Sequence, residues 1–380
     1  MLLGDMGADI IKIERPELGD DTRSWGPPFK KAITPEHSAE SAYFLAVNRN
    51  KRSLTLNIKE KVGKEILYKL IKEADVLVEN YLPGKLDELG LSYKILNEIN
   101  PKLIYASITG YGPSGPYKNK PGYDVMVEAE GGLMHITGEK EGSPVKVGVA
   151  ITDITTGLYA HGSIIAALFK RFKTNKGQKL DISLIESQIA CLANIASSYL
   201  IGDINSQRQG TEHGSIVPYQ SFPTKDGNIV IGAGNDKQFK ILCENVIKDV
   251  QLLNNSKFKN NSERVKNRIE LISILSNYFK SKDTKEWLNI LKDFQIPYAP
   301  INDIKAALQH PQVINRNMIQ SILHPTLGNI KLVGPAVKYS DKDVYIRSPP
   351  PTLGQHNNEI LMNLGYSLKT INEFKNNGVI

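Results

Sequence analysis

Cysteine is nearly absent. Cys191 and Cys243 are the only two in 380 residues, which excludes a disulfide scaffold and a Cys-rich metal site. Both lie in apolar surroundings, IACLANI and KILCENV, where a cysteine behaves as a small core residue; a reducing compartment is the natural reading. No apolar run approaches the ~20 residues that a membrane span requires, so no membrane partner is expected. Lys and Arg exceed Asp and Glu by only 47 to 40, a net charge of +7, and they form no basic arm and no run of five like charges. A nucleic-acid protein would concentrate that charge on one face, so no nucleic-acid partner is expected either. The small surplus reads as a solvated surface or as a site for anions such as phosphates and carboxylates. Seven histidines are scattered without an H-x-x-x-H pair or a cysteine neighbour, so no metal is expected. There is no G-x-S-x-G elbow for an acyl-transferring serine. Nor is a signal peptide expected, since Met1-Leu-Leu-Gly-Asp5 lacks a basic region and a sustained apolar core. The sequence reads as opening mid-fold, at the end of a helix (LLGDMGA) that leads into a strand. Carboxylates are the chemistry that remains to an enzyme of this composition.

What is present is an ordinary globular balance, 41% hydrophobic and 23% charged, in a length that suits about two domains. Up to about residue 190, short β-rich runs alternate with helical stretches. Ile10–Ile13, Ser53–Asn57, Val76–Val78, Leu103–Ile108 and Leu180–Ser183 read as buried strands. Lys61–Glu73 has apolar residues at helical spacing, and Leu86–Asn97 is a weaker helical candidate. A long helix is predicted from about Thr155 to Thr174, stopped by Asn175-Lys176-Gly177, and another from about Leu184 to Leu200. Alternation of this kind indicates an α/β fold with a mainly parallel sheet. After Gly202 the character changes. Asp226-Gly227 between two β-rich runs is a hairpin signal, and helical stretches fill about Asp236–Leu253, Ser262–Phe279 and Thr284–Phe294. The division expected is a large domain over residues 1–200, a small α+β domain over 201–305, and a C-terminal segment over 306–380 that returns to the large domain.

Gly110-Tyr-Gly112-Pro-Ser-Gly115 matches G-x-G-x-x-G and follows a predicted strand. A dinucleotide fingerprint also needs a helix to begin there, and Pro113 and Pro116 oppose one, so a rigid Gly/Pro loop near a ligand is the better reading. Asp124 and Glu128, in PGYDVMVEAEGG, stand at i and i+4 on one helical face, either as solvated like charges or as an acid/base pair. Asp153 lies among small residues just before the long helix. It reads either as an N-cap or, because a helix N-terminus stabilises an accessible carboxylate, as a covalent nucleophile toward an activated acyl group.

Taken in order, LLGDMGADIIKIERP, NRNKRSLTLNIK, ADVLVENYLPGKLDELGL, LIYASITGYGPSGPY, PGYDVMVEAEGGLM, the Asp153 segment and KTNKGQKLDISL resemble the class III CoA-transferases. That group includes formyl-CoA transferase, carnitine CoA-transferase and alpha-methylacyl-CoA racemase, and the resemblance continues to PPPTLGQHNNEIL, covering essentially the whole chain. GDDTRSWGPPF, SAYFLAVNRNK, GLMHITGE, EHGSIVPYQSF, GAGNDKQF, IPYAPIND and GPAVKYS are similar to a mitochondrial branch that moves CoA between dicarboxylic acids. The resemblance implies succinyl-CoA as donor, glutarate or 3-hydroxymethylglutarate as acceptor, CoA as a substrate rather than a prosthetic group, and no metal. It also implies a Rossmann-like large domain, a small α+β domain and an interlocked homodimer.

By the same resemblance Asp153 falls on the family's nucleophilic aspartate. Arg15 falls on its CoA-contacting arginine, Leu56 and Lys59 on the segment beside the adenine, and Asn80 and Tyr123 on further CoA contacts. Arg23, Arg49, Arg52 and His213 are candidates for the distal carboxylate of a dicarboxylate. Racemases of the family have a histidine where this chain has Tyr123, which favours transfer over α-proton exchange. Glu88 stands where formyl-CoA transferase has a basic residue, so the phosphate contacts are expected to be rearranged, with Lys85 close by. The family's first strand precedes LLGDMGAD and is not in this sequence. Two alternatives therefore accompany the transferase: an acyl-CoA racemase or isomerase, and a non-catalytic CoA-binding chain. The compartment implied is the mitochondrion, with the cytoplasm as the alternative.

Overall fold

A computed structural model describes residues 1–341 and 343–380. Along the chain come β1 (Ile11–Glu14), the two-residue β2 (Phe29–Lys30) and β3 (Glu40–Ser41), then β4 (Arg52–Thr55), β5 (Val76–Glu79), β6 (Ile104–Thr109) and β7 (Gln178–Ser183). These are followed by β8 (Tyr219–Pro223), β9 (Asn228–Gly232), β10 (Tyr298–Pro300), β11 (Ile319–His324) and β12 (Gly328–Val333). The chain divides into two compact units. The first comprises residues 1–127, 150–191 and 308–380; the second comprises residues 128–149 and 192–307.

In the first unit the five strands β1, β4, β5, β6 and β7 pair in parallel. β1 lies beside β4 with Ile11 opposite Arg52 and Glu14 opposite Thr55, and β5, β6 and β7 form a second parallel set in that order. Ile104, Tyr105 and Ala106 of β6 are all buried, the near-continuous apolar run of a strand covered on both faces. The helix Lys61–Glu73 buries Gly63, Ile66, Leu67 and Ile71, one stripe at helical spacing, and so forms where periodicity predicts it. The predicted helix over Leu86–Asn97 is instead two pieces, Lys85–Glu88 and Tyr93–Ile99, because Gly90 between them takes a positive φ of 77°. The C-terminal residues complete this core. Ile360, Leu361, Ile371, Val379 and Ile380 pack with Leu54, Leu56, Ile66 and Leu67, and the Asn57 N–H donates to the Val379 carbonyl at 2.7 Å. An antiparallel hairpin, β11–β12, also belongs to this unit.

In the second unit, β8, β9 and β10 form an antiparallel sheet, with β8 and β9 joined by the Asp226-Gly227 turn. Phe222, Ile229, Ile231, Phe239, Phe258, Phe279 and Trp287 fill its core. Arg264 is fully buried there. It donates to the carbonyls of Val217 and Phe258 and to Asp236, and its guanidinium lies 4.4 Å from the Phe239 ring centroid, so its charge and donors are matched. No single helix among the described residues is long and apolar enough to cross a membrane.

Candidate active site

The long helix runs Ile151–Thr174, beginning earlier than its sequence pattern predicts, and ends at Asn175 in the left-handed conformation with φ 57°. Asp153 is therefore not the N-cap. Ala150 occupies that position and offers no side-chain cap. The cap comes from elsewhere: Asp124 Oδ1 accepts the N–H of Thr152 at 2.8 Å and that of Asp153 at 3.1 Å. Two of the orphan donors of the first turn are thus satisfied by a carboxylate 29 residues upstream, which also suits the positive end of the helix dipole. Relieved of capping, the Asp153 carboxylate accepts no hydrogen bond among the described residues and stays solvent-accessible. Partial loss of hydration around it pushes its pKa above the ordinary carboxylate value, and the Asp124 charge pushes it the same way.

Beneath this turn Thr152 is fully buried and donates its hydroxyl to Gln188 Oε1 at 2.7 Å; Gln188 is 1% exposed. Gln188 stands on the helix Leu184–Cys191, which follows β7 directly. The helix predicted to continue to Leu200 breaks here, and a separate helix, Asn194–Gly202, begins in the second unit after Ala193, whose φ is 46°. Neither Thr152 nor Gln188 has a local signature in the sequence, since each matters only through the other.

The segment 110–122 leaves the carboxyl end of β6 and returns to Tyr123 and Asp124. No helix begins within it, and Gly112 and Gly115 have positive φ, so the G-x-G-x-x-G spacing here builds a loop. Its neck is narrow: a Cβ on Gly110 would lie 2.7 Å from the Gly122 Cα. The Gly110 carbonyl accepts the Ile185 N–H at 3.1 Å, tying the neck to the helix that holds Gln188. Inside the loop Lys120 Nζ lies 5.1 Å from the ring centroids of both Tyr111 and Tyr117, a cation held between two aromatic faces. Glu128 is buried rather than solvated. Asp124 caps the long helix, whereas buried Glu128 accepts the Val147 N–H at 3.0 Å in the second unit.

The residues singled out for CoA share a position. Arg15, Leu56 and Asn80 are each the first residue beyond β1, β4 and β5; Lys59 follows in the β4 connection, and Tyr123 closes the loop after β6. All five lie past the carboxyl ends of parallel strands, the side on which open α/β sheets bind ligands. Arg15, Lys59, Asn80 and Tyr123 are exposed, Arg15 pairing with Asp21, while Leu56 is buried. The three arginines considered for a substrate carboxylate all have internal partners. Arg23 pairs with Glu14 and Glu40, Arg49 binds Asp5 through two nitrogens, and Arg52 bridges Asp9 and Glu359. His213 belongs to the second unit, where its exposed ring stacks on Tyr219 at 5.4 Å. Among the described residues no three His, Cys, Asp or Glu side chains gather as metal ligands would.

Comparison with known proteins identifies the family. Residues 1–357 match the family model of the CoA-transferase family III. The chain is 49% identical to the succinyl-CoA:glutarate CoA-transferase of Homo sapiens, over all of this chain and 85% of that one. It is 38% identical to the succinate–glutarate CoA-transferase of Agrobacterium fabrum, over 96% of this chain and 90% of that one. Among solved structures, a CAIB/BAIF family protein from Brucella suis superposes with a TM-score of 0.85 at 40% identity, covering 96% of this chain and 93% of that one. By the match of its family model, the identity of its relatives and the superposition of its fold, the chain belongs to the CoA-transferase family III, acting on acyl-CoA thioesters.

Proposed function

We propose that this chain moves CoA between dicarboxylic acids, from succinyl-CoA to glutarate or 3-hydroxymethylglutarate, with Asp153 as the covalent relay. The observation that carries the reading is the state of the Asp153 carboxylate: accessible, without a cationic partner among the described residues, and raised in pKa by partial burial and by Asp124. A raised pKa leaves electron density on the oxygens, which suits a nucleophile. The activities for which the relatives are named supply the substrate class.

An Asp153 oxygen attacks the thioester carbonyl of succinyl-CoA and CoA thiolate leaves, giving a mixed anhydride. The thiolate then attacks the Asp153 carbonyl of that anhydride, releasing succinate and leaving an aspartyl-CoA thioester. An acceptor carboxylate oxygen displaces the thiolate again to form a second anhydride. Finally the thiolate attacks the acceptor acyl carbonyl, and Asp153 returns as a carboxylate. Each step exchanges one activated acyl bond for another, so the cycle needs no ATP, and water must be kept from the anhydride.

Arg15, Lys59 and Asn80 are assigned to the polar parts of CoA, Leu56 and Tyr123 to its apolar and aromatic surfaces. For the distal carboxylate the internal partners set the order of trial: His213 first, then the partly exposed Arg52, then Arg23 and the buried Arg49. A homodimer is part of the reading. The outer face of the long helix presents Ile154, Leu158, Ile165, Phe169 and Phe172, with Phe172 90% exposed, and a second copy would cover such a stripe. Light scattering after size exclusion tests it. The mitochondrion is the compartment assigned by resemblance, and cell fractionation tests that.

The decisive experiment is mass spectrometry after incubation with succinyl-CoA and trapping with hydroxylamine. A hydroxamate at Asp153, with glutaryl-CoA formed once glutarate is added, is the expected result. Transfer with Asp153 unmodified would sink the relay. Exchange of the acyl α-hydrogen with deuterated water would instead mark a racemase.

A further inference from the structure

We infer that Gln188 is a positioning residue for the nucleophile, acting through the Thr152 hydroxyl; the inference rests on Asp153 being the nucleophile. Thr152 is the residue immediately before Asp153 and is held from two directions. Its N–H donates to Asp124 at 2.8 Å, and its hydroxyl donates to Gln188 Oε1 at 2.7 Å. With backbone and side chain both fixed, the peptide between Thr152 and Asp153 cannot rotate, and the direction of the Asp153 Cα–Cβ bond is set. That matters for this chemistry in particular. The same carboxyl group must meet an acyl carbonyl, then a thiolate, then a second carboxylate, each within bonding distance, and misplacement by about 1 Å can lower a rate a hundredfold.

The Gln188 side chain has a feature that packing alone does not account for. It is 1% exposed, and among the described residues its Nε2 has no hydrogen-bond partner. A buried amide donor left unpaired is unfavourable, and a leucine or methionine would fill similar space without that penalty. What glutamine adds at this position is the acceptor for Thr152. The helix that carries it is anchored at the opposite side of the site as well: Ile185 donates to the Gly110 carbonyl at the loop neck, and Ser187 Oγ donates to the Ser183 carbonyl at 2.8 Å. One short helix, Leu184–Cys191, therefore registers both the nucleophile turn and the loop 110–122 that leads to Tyr123.

The test is a cycle on the full-length protein: Q188L, T152V, the double variant, and T152S, with D153N as reference. Q188L and T152V are each expected to lower kcat on the order of tenfold while the KM for succinyl-CoA stays within about twofold. The double variant is expected to be no slower than either single one, because both remove the same bond. T152S, which restores the hydroxyl, is expected to recover most of the rate lost in T152V. Wild-type kcat in a folded Q188L or T152V, additive losses in the double variant, or no recovery in T152S overturns the inference. If Q188L does not fold, the comparison of T152V with T152S decides the matter by itself. D153N separates the two levels of the argument. Should it retain transfer, the relay fails and the positioning role with it. Should it be inactive while T152V and Q188L turn over normally, the relay stands and only Gln188 is wrong.

Discussion

Glu14 and Asp153 are carboxylates of the same unit in contrasting surroundings. Glu14 ends β1, is 4% exposed and is ringed by donors: Arg23 through two nitrogens at 2.9 Å, the Ser53 hydroxyl at 2.6 Å and the Asp20 N–H at 3.0 Å. Burial alone would raise its pKa, but the hydrogen bonds from Arg23 and Ser53 prevail and its pKa is lowered. Arg23 is in turn shared with Glu40, donates to the Pro351 carbonyl, and stacks 3.8 Å from the Phe44 ring centroid. Asp153 has no such ring. Burial raises it, and its charged neighbour, Asp124, has the same sign. The contrast separates a carboxylate whose lone pairs hold the fold together from one whose lone pairs are left available for chemistry.

The largest effect expected is from removing the available one. D153N should lower transfer by a factor on the order of 10³ or more and abolish the hydroxylamine-trapped adduct. Because Asp153 makes no side-chain hydrogen bond among the described residues, the midpoint of thermal unfolding should move little. R23M should do the reverse. It leaves Glu14 and Glu40 buried without their cation, and an unfolding free energy smaller by about 3–5 kcal/mol in urea titration is expected. If R23M keeps its stability and loses only affinity for the dicarboxylate acceptor, Arg23 belongs to the substrate and the contrast drawn above collapses.

D124N sharpens the comparison more gently. Asparagine keeps an oxygen to accept the two N–H groups of the helix but removes the charge that helps to raise Asp153. The pKa of Asp153 should fall, so the acid limb of kcat/KM should move to lower pH; an unmoved or higher limb would show that Asp124 does not act through its charge. The smallest effect concerns Asp20, beside Lys12 and Thr22. Burial opposes its ionisation, the hydrogen bonds from Lys12 and Thr22 outweigh that, and its pKa is lowered to about 2. A carboxylate lowered in the folded state stabilises fully above its unfolded value and loses that contribution as pH falls through the folded one. Wild-type stability should therefore drop between about pH 4 and pH 2, and D20N should flatten that part of the profile without altering transfer at neutral pH.

Much of the frame was legible because its signals are local. The strands around Ile11–Glu14, Val76–Glu79 and Ile104–Thr109 are short apolar runs, and the helix Lys61–Glu73 carries its stripe in its own residues. The start of the long helix was not legible, because the group that caps it is Asp124 rather than a neighbour of Ile151. The break between Cys191 and Asn194 was hidden for a related reason: Ala193 sits at φ 46°, a conformation no alanine advertises. The inclusion of residues 128–149 in the second unit has no compositional mark either.

Residue order alone was enough to assign the α/β class and the family, and to single out Asp153 as the candidate carboxylate. These follow from periodicity and from motifs that stay recognisable however the chain is folded. Which charges are consumed and which remain available was decided only in three dimensions. Arg23, Arg49 and Arg52 look alike in sequence, yet each is neutralised by a carboxylate that folding brings to it. Asp153 is left without a cation because Asp124, and not a base, was brought to its turn. Pairing energies depend on distance and burial, and neither is a property of the sequence until the backbone has closed.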